Sequence, residues 1–147
     1  MSTGQFTTFT VGGHLFGIEV ENVQEVIRYQ PMTRVPLAPP SVGGLINLRG
    51  QVITAVDLRH RLEMPARAAD ELPMNVVVRT DDGAVSLLVD QIGEVVHAAA
   101  DDFEPPPETL IGATRALIRG AYKLDSQLLL ALDVTRAVDT TSLAASA

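Results

Sequence analysis

Gly43-Gly44-Leu45-Ile46-Asn47-Leu48-Arg49-Gly50-Gln51-Val52-Ile53-Thr54-Ala55-Val56-Asp57-Leu58-Arg59 is the run on which the reading of this chain turns. Two glycines open it, and Gly50 interrupts an otherwise apolar, β-branched series. The pattern predicts two strands meeting at a tight bend, with Arg49 held at the bend. A buried strand has no use for an arginine, and desolvating one without a partner costs several kcal/mol. Arg49 is therefore solvated, paired with a carboxylate, or presented to a partner, and spacing alone leaves the three open.

Upstream, Phe6, Phe9 and Val11, then Leu15, Phe16, Ile18 and Val20, form two strand-like runs joined by Gly12-Gly13-His14. Gly-Gly supplies the positive φ values of a tight hairpin. The period then changes. Val20, Val23 and Ile27 fall at helical spacing with Val26 alongside, while Gln24, Glu25 and Arg28 take the other face. Asn22 with Glu25 resembles a capping pair, so a short helix is expected over Asn22–Tyr29, ended by Pro31. Four of the nine prolines lie in Pro31–Pro40, which leaves Thr33-Arg34-Val35 a brief edge strand at most.

Downstream, Asp57 can cap a turn or short helix through Glu63. Pro65–Pro73, rich in alanine and acid, reads as a mobile surface loop. Asn75–Arg79 and Ala84–Val89 flank Asp81-Asp82-Gly83, a second hairpin signal. Asp90–His97 continues as an apolar run, and Pro105-Pro106-Pro107 reads as an extended spacer. Ala116–Leu124 and Gln127–Asp133 flank Asp125-Ser126, and Asp133 can cap a last turn through Val138. The small, polar tail from Asp139 to Ala147 is expected to fray.

A weak internal echo accompanies this pattern. Leu48-Arg49-Gly50 runs into Val56-Asp57-Leu58, and Ile118-Arg119-Gly120 runs, through a hairpin longer by six residues, into Leu132-Asp133-Val134. Chance could produce so short a match, and so could two successive barrel-like lobes.

Composition narrows the function classes. The 147 residues suit one domain or two small fused lobes, and 46% apolar content is ample for a core. A net charge of -7 repels polyanions over most of the surface, which disfavours nucleic acid and anionic membrane as partners. The absence of cysteine removes disulfides, thiol catalysis and Cys-ligated zinc, and fits a reducing compartment. The N-terminus lacks a signal-peptide pattern, and the longest apolar run, Leu128–Leu132, is far short of a bilayer span. A cytoplasmic protein without direct membrane insertion is expected.

No pattern for chemistry emerges. His14, His60 and His97 lack the local spacing of a metal site. The glycines of Gly12–Gly17 lie in a hairpin pattern and not between a strand and a helix, so they lack the helix N-terminus that holds a pyrophosphate. Asp81, Asp82, Asp101, Asp102 and Glu104 do not follow the alternation of a calcium loop. The expectation is a protein that is not an enzyme, with no catalytic residues, cofactor or metal.

At Asn47-Leu48-Arg49-Gly50, preceded by Gly44 and followed by Val56-Asp57-Leu58-Arg59, the chain resembles the CheW family of bacterial chemotaxis coupling proteins. Phe16-Gly17-Ile18, Val23-Gln24-Glu25-Val26-Ile27, Thr33-Arg34-Val35-Pro36 and Leu87-Leu88-Val89-Asp90 with Val95 follow in the family's order, so the resemblance covers roughly residues 5 to 138. Ser86, where many relatives carry glycine, and the alanine-rich Ala66–Ala69 segment depart from it. The resemblance implies an all-β fold of two intertwined SH3-like five-stranded barrels with a few short helices, forming one CheW-like domain over 5–138 and leaving 139–147 as a flexible tail. It implies an adaptor with two partners, the regulatory domain of the histidine kinase CheA and the cytoplasmic tip of methyl-accepting chemoreceptors, working at receptor arrays beneath the inner membrane. A docking module of a non-flagellar pathway such as pilus motility is the alternative. By motif position it places Val23, Glu25, Arg49 and Val95 on the interaction surfaces.

Overall fold

The computed structural model describes residues 4–139. Its strands are β1 (Gly4–Val11), β2 (His14–Glu19), β3 (Val23–Ile27), β4 (Val42–Leu48), β5 (Gln51–Asp57), β6 (Met74–Thr80), β7 (Gly83–Val89), β8 (Gln91–Ala98), β9 (Phe103–Glu104), β10 (Ile118–Lys123) and β11 (Leu128–Leu132). Three helices of five residues or fewer join them: α1 (Leu58–Arg61), α2 (Gly112–Ala116) and α3 (Val134–Val138).

The glycine-bearing hairpins form as their residues require. Gly12 and Gly13 take φ of +58° and +84° between the paired residues Val11 and His14, which is the two-residue turn whose twist matches flanking strands. Asp81 and Asp82 turn β6 into β7 between Thr80 and Gly83. Asp57 and Asp133 cap α1 and α3, accepting from the backbone amides of Arg59 at 3.0 Å and Arg136 at 3.1 Å.

The strands divide into two sheets, ordered β8-β1-β2-β11-β10-β9 and β3-β6-β7-β5-β4. In each, two antiparallel hairpins are joined by one parallel pair, β2 with β11 and β5 with β7. The chain begins in the first lobe, crosses to build the whole of the second from β3 to β7, and returns with β8. The fold is all-β, two intertwined SH3-like barrels. Each barrel has its own small core: Phe6, Ala98, Leu129 and Ala131 in the first, and Ile46, Leu48, Ile53, Ala55, Val77 and Leu88 in the second. The largest core lies between them, with Phe9, Phe16 and Ile18 from the first lobe meeting Val56, Leu58, Val76 and Leu87 from the second.

The two lobes repeat one plan. Val42 and Gly44 face Val56 and Ala55 across a bulge, as Ile118 and Gly120 face Leu132 and Ala131. The amide of Asp57 reaches back to Ser41 O at 2.7 Å, as that of Asp133 reaches Leu117 O at 2.8 Å. Val42 and Ile118, Gly44 and Gly120, and Asp57 and Asp133 are each 76 positions apart. This corrects the register of the sequence echo: Leu48-Arg49-Gly50 closes β4, whereas Ile118-Arg119-Gly120 opens β10. Aligned by structure, the two hairpins have equal length and the six-residue difference vanishes.

A further expectation is corrected. The segment expected as a helix over Asn22–Tyr29 is a 3-10 turn, Val20–Asn22, followed by strand β3. Val23, Val26 and Ile27 are β-branched, and β6 offers them a ladder partner; a bulge between Val23 and Glu25 accounts for the broken alternation that imitates a helical period. The segment Pro65–Pro73, expected to be a mobile surface loop, has no regular secondary structure, and one of its side chains, that of Arg67, is only 9% exposed. The Thr33 segment narrows to a single bridge to Leu45, and α2 had no counterpart in the sequence pattern. The tail expected to fray is 139–147; of it only Asp139 is described, its amide donating to Arg136 O at 3.3 Å, and residues 140–147 lie outside the described residues.

Candidate functional site

The β4–β5 hairpin sets Arg49 in place. Arg49 and Gly50 form a two-residue turn between Leu48 and Gln51, with φ of +53° and +86°. Positive φ at both positions is what a primed hairpin turn requires, and for a side-chain-bearing residue such as Arg49 it carries a strain cost. Asn47 offsets part of that cost, its side-chain oxygen accepting from the Gly50 amide at 2.9 Å. The Asn-Leu-Arg-Gly order thus has a local mechanism: the asparagine ties the turn and the glycine permits it, leaving the arginine at the apex.

From that apex Arg49 reaches Glu25 on β3. Nη1 donates to Oε1 at 3.1 Å and Nη2 donates to Oε2, a two-pronged contact that uses the planar fork. The Arg49 side chain is 66% exposed and that of Glu25 23%. The pair lies across a seam. β3 and β4 are the outer strands of their sheet, and the barrel closes where they approach, through the Thr33 bridge to Leu45 at one point and this ion pair at another. Glu25 sits opposite Val77, a member of this lobe's core, so the clasp lies over the rim of that core. The hydrogen bonds from Arg49 hold the Glu25 carboxyl below its ordinary range, and the same contact raises the guanidinium of Arg49.

The structure therefore brings together Arg49 and Glu25 and not the other two expected residues. Val23 opens β3, pairs with Val78 and packs against the interlobe core, and its carbonyl accepts from Arg79 at 3.2 Å. Val95 is on β8 in the other sheet, opposite Thr7 and half exposed. Two exposed valines lie close in sequence to the clasp: Val26, which follows Glu25 and therefore faces the other side of β3, and Val52, three positions past Arg49, are 40% and 63% exposed. The signal for Val52 was available, since it pairs with the polar Asn47 and so stands on the barrel's outer face.

A second polar cluster joins the lobes. Asp90, between β7 and β8, accepts from Arg59 Nε at 2.9 Å and Nη2 at 2.7 Å, from Arg67 Nε at 2.9 Å and from the Gly12 amide at 2.8 Å. Burial pushes its carboxyl upward, but the hydrogen bonds from Arg59 and Gly12 and the charges of Arg67 and Arg59 outweigh that and leave it below the usual carboxylate range. Every charge here has a partner, as a partly buried structural joint requires. Among the described residues, no group of three His, Cys, Asp or Glu side chains is placed to hold a metal, and no helix is long and apolar enough to cross a membrane.

Comparison with known proteins agrees with this architecture. The CheW-like domain model matches residues 5–142. Chemotaxis protein CheW of Bacillus subtilis is 30% identical over 143 residues, spanning 97% of this chain and 92% of that protein. Chemotaxis protein CheW of Treponema pallidum is 29% identical over 134 residues, 88% of this chain and 79% of that one. Protein FrzA of Myxococcus xanthus is 29% identical over 120 residues, 76% and 74% of the two chains. The crystal structure of the scaffolding protein TtCheW from Thermoanaerobacter tengcongensis superposes with a TM-score of 0.79 at 26% identity, covering 88% of each chain. With the family model spanning nearly its whole length, the chain belongs to the CheW-like family.

Proposed function

We propose that this protein is a non-enzymatic adaptor that couples chemoreceptors to the histidine kinase CheA. It binds the regulatory domain of the kinase and the cytoplasmic tip of methyl-accepting receptors, and works in the cytoplasm at receptor arrays beneath the inner membrane. The observation that carries the reading is the clasp: an arginine displayed at 66% exposure on a strained turn, bound to Glu25, with exposed Val26 and Val52 nearby along the chain. An exposed charged fork suits a protein surface, where Arg is enriched and a few residues dominate binding. Similarity to Protein FrzA of Myxococcus xanthus is compatible with the second reading, a docking module of a non-flagellar chemosensory pathway such as pilus motility.

The test is titration calorimetry of wild type, Arg49→Ala, Arg49→Lys and Glu25→Ala against a CheA regulatory domain and a receptor tip fragment, with thermal melts alongside. Arg49→Lys keeps the charge and loses the fork, so binding to one partner falls, and Arg49→Ala lowers it further while both proteins stay folded. Unchanged affinity for both partners in folded Arg49→Ala removes the clasp from the proposed surface. Val23 and Val95 are the remaining proposed contacts. Val95→Ala, at an exposed position, is expected to affect binding alone, whereas Val23→Ala also lowers stability through the interlobe core.

A further inference from the structure

The segment from Pro65 to Pro73 contains no regular secondary structure, yet one of its side chains is among the better buried charged groups of the molecule. The Arg67 guanidinium is 9% exposed. Its Nε donates to Asp90 Oδ1 at 2.9 Å, Nη1 to Asp57 Oδ1 at 3.2 Å and Nη2 to the Leu88 carbonyl at 3.2 Å. All three acceptors belong to the frame of the second lobe or its exit: the residue that caps α1, the end of β7, and the crossover to β8.

The joint at Asp90 is already satisfied without Arg67. Arg59 engages both of its carboxylate oxygens, and the Gly12 amide from the first lobe's β1–β2 turn adds a third contact. The Asp90 amide also donates to Thr10 O at 2.9 Å. Arg67 is thus a second arginine on a carboxylate that has one, reaching in from outside the sheets. It balances the charge, since Arg59 and Arg67 face Asp57 and Asp90. The rest of the segment has slight attachment: Arg59 Nη1 holds the Pro65 carbonyl at 2.9 Å, and Ala68 and Glu71 bond mainly each other. Leu72 is 60% exposed. Pro73 is buried where the segment joins β6, so the stretch before it, 65–72, is held largely by one buried side chain and can open as a unit without unfolding the sheets.

We infer that residues 65–72 form a strap, latched by Arg67 onto the Asp57–Asp90 carboxylate pair, that stiffens the crossover between the two lobes and can detach while both barrels remain folded. The inference is independent of the adaptor reading, since it concerns the free protein.

Limited trypsin digestion provides the first test, because the bond after Arg67 can be cut only when the strap opens. In wild type, cleavage there is slower than after exposed Arg34. Arg67→Lys keeps the charge and the cleavage site but loses the three-way fork, and cleavage after residue 67 rises by about tenfold or more. The second test uses the absence of native cysteine: spin labels at Asp82→Cys and Ser126→Cys report the distance between the lobes, and its distribution broadens when Arg67→Met is added. Melting temperatures of both variants stay near wild type. Wild-type cleavage after Arg67 as fast as after Arg34, or no change in Arg67→Lys, overturns the latch. An unaltered distance distribution in Arg67→Met overturns the coupling to the lobes, and global unfolding of both variants overturns the strap in favour of an ordinary structural residue.

Discussion

Leu88 and Gly43 define a site where packing can be tested against a worked magnitude. Leu88 is 2% exposed in the core of the second barrel, and a Cβ placed on Gly43 would lie 2.8 Å from its Cδ1, 3.5 Å from Met32 Sδ and 3.7 Å from Ala55 O. Leu88→Ala removes three carbons, worth about 2.4 kcal/mol at about 0.8 per methylene, and the residual void brings the cost to about 3 kcal/mol. Gly43→Ala alone forces a contact closer than side chains tolerate against a packed leucine, costing about 1 to 3 kcal/mol. Gly43 is outside the positive-φ group, so an alanine there meets a neighbour and not a backbone penalty. In the double variant the new methyl enters the space that Leu88 vacates. The two costs then sum to less than their parts, with a favourable coupling of about 1 kcal/mol or more. Urea unfolding of the three variants and wild type measures this cycle, and the single Leu88→Ala change lowers Tm by about 6 to 12 °C at about 2 to 4 °C per kcal/mol. Strict additivity, or a double variant less stable than the sum, would refute the claim that Gly43 and Leu88 share one packed site.

Three further outcomes concern other parts of the molecule. Ser86→Ala strands the Asn75 side-chain oxygen, to which the Ser86 hydroxyl donates at 2.7 Å with both residues fully buried, and costs about 1 to 3 kcal/mol in chemical unfolding; a neutral result would mean that water replaces the hydroxyl. Asp90 has a folded-state pKa below its unfolded value, so its contribution is complete above about pH 4 and is lost as pH falls through the folded value; acid melts of Asp90→Asn should lack that part of the wild-type decline. Circular dichroism should be dominated by strand, since no described helix exceeds five residues, and a helix-dominated spectrum would contradict the fold.

Much of the fold was legible because it rests on local chemistry. Gly12-Gly13, Asp81-Asp82-Gly83 and Arg49-Gly50 announce hairpins, and Asp57 and Asp133 announce caps, since each acts within a few residues of itself. The hidden features depend on distant partners. β3 is a strand because β6 lies beside it, and across a bulge its five residues fit a helical period equally well. The Arg67 contact was invisible for the same reason: the parallel pairing of β5 with β7 brings Asp57 beside Leu88, and nothing near Arg67 in sequence reveals that pairing. At the candidate site, Arg49 was identifiable from its turn, but its choice among the open alternatives was not. The carboxylate that meets it is 24 positions away, across a seam that exists only once the barrel has closed.

The crossing of the chain from one lobe to the other and back has a consequence for biosynthesis. Every strand of the second barrel lies between Val23 and Val89, so that barrel can close while the ribosome still holds β8 to β11. The first barrel cannot, because β2 finds its parallel neighbour only in β11, with Phe16 opposite Leu130. Until then the N-terminal hairpin carries Phe9, Phe16 and Ile18 without the core partners that β10 and β11 supply, Ile118, Ala121, Leu130 and Leu132 among them. Closing so long a loop is entropically costly and slow, and the waiting hairpin is an exposed apolar edge of the kind on which nascent chains aggregate. The earlier-finished barrel supplies its first cover, through Val56, Val76 and Leu87 in the shared core, and so acts as the template on which the last barrel is completed.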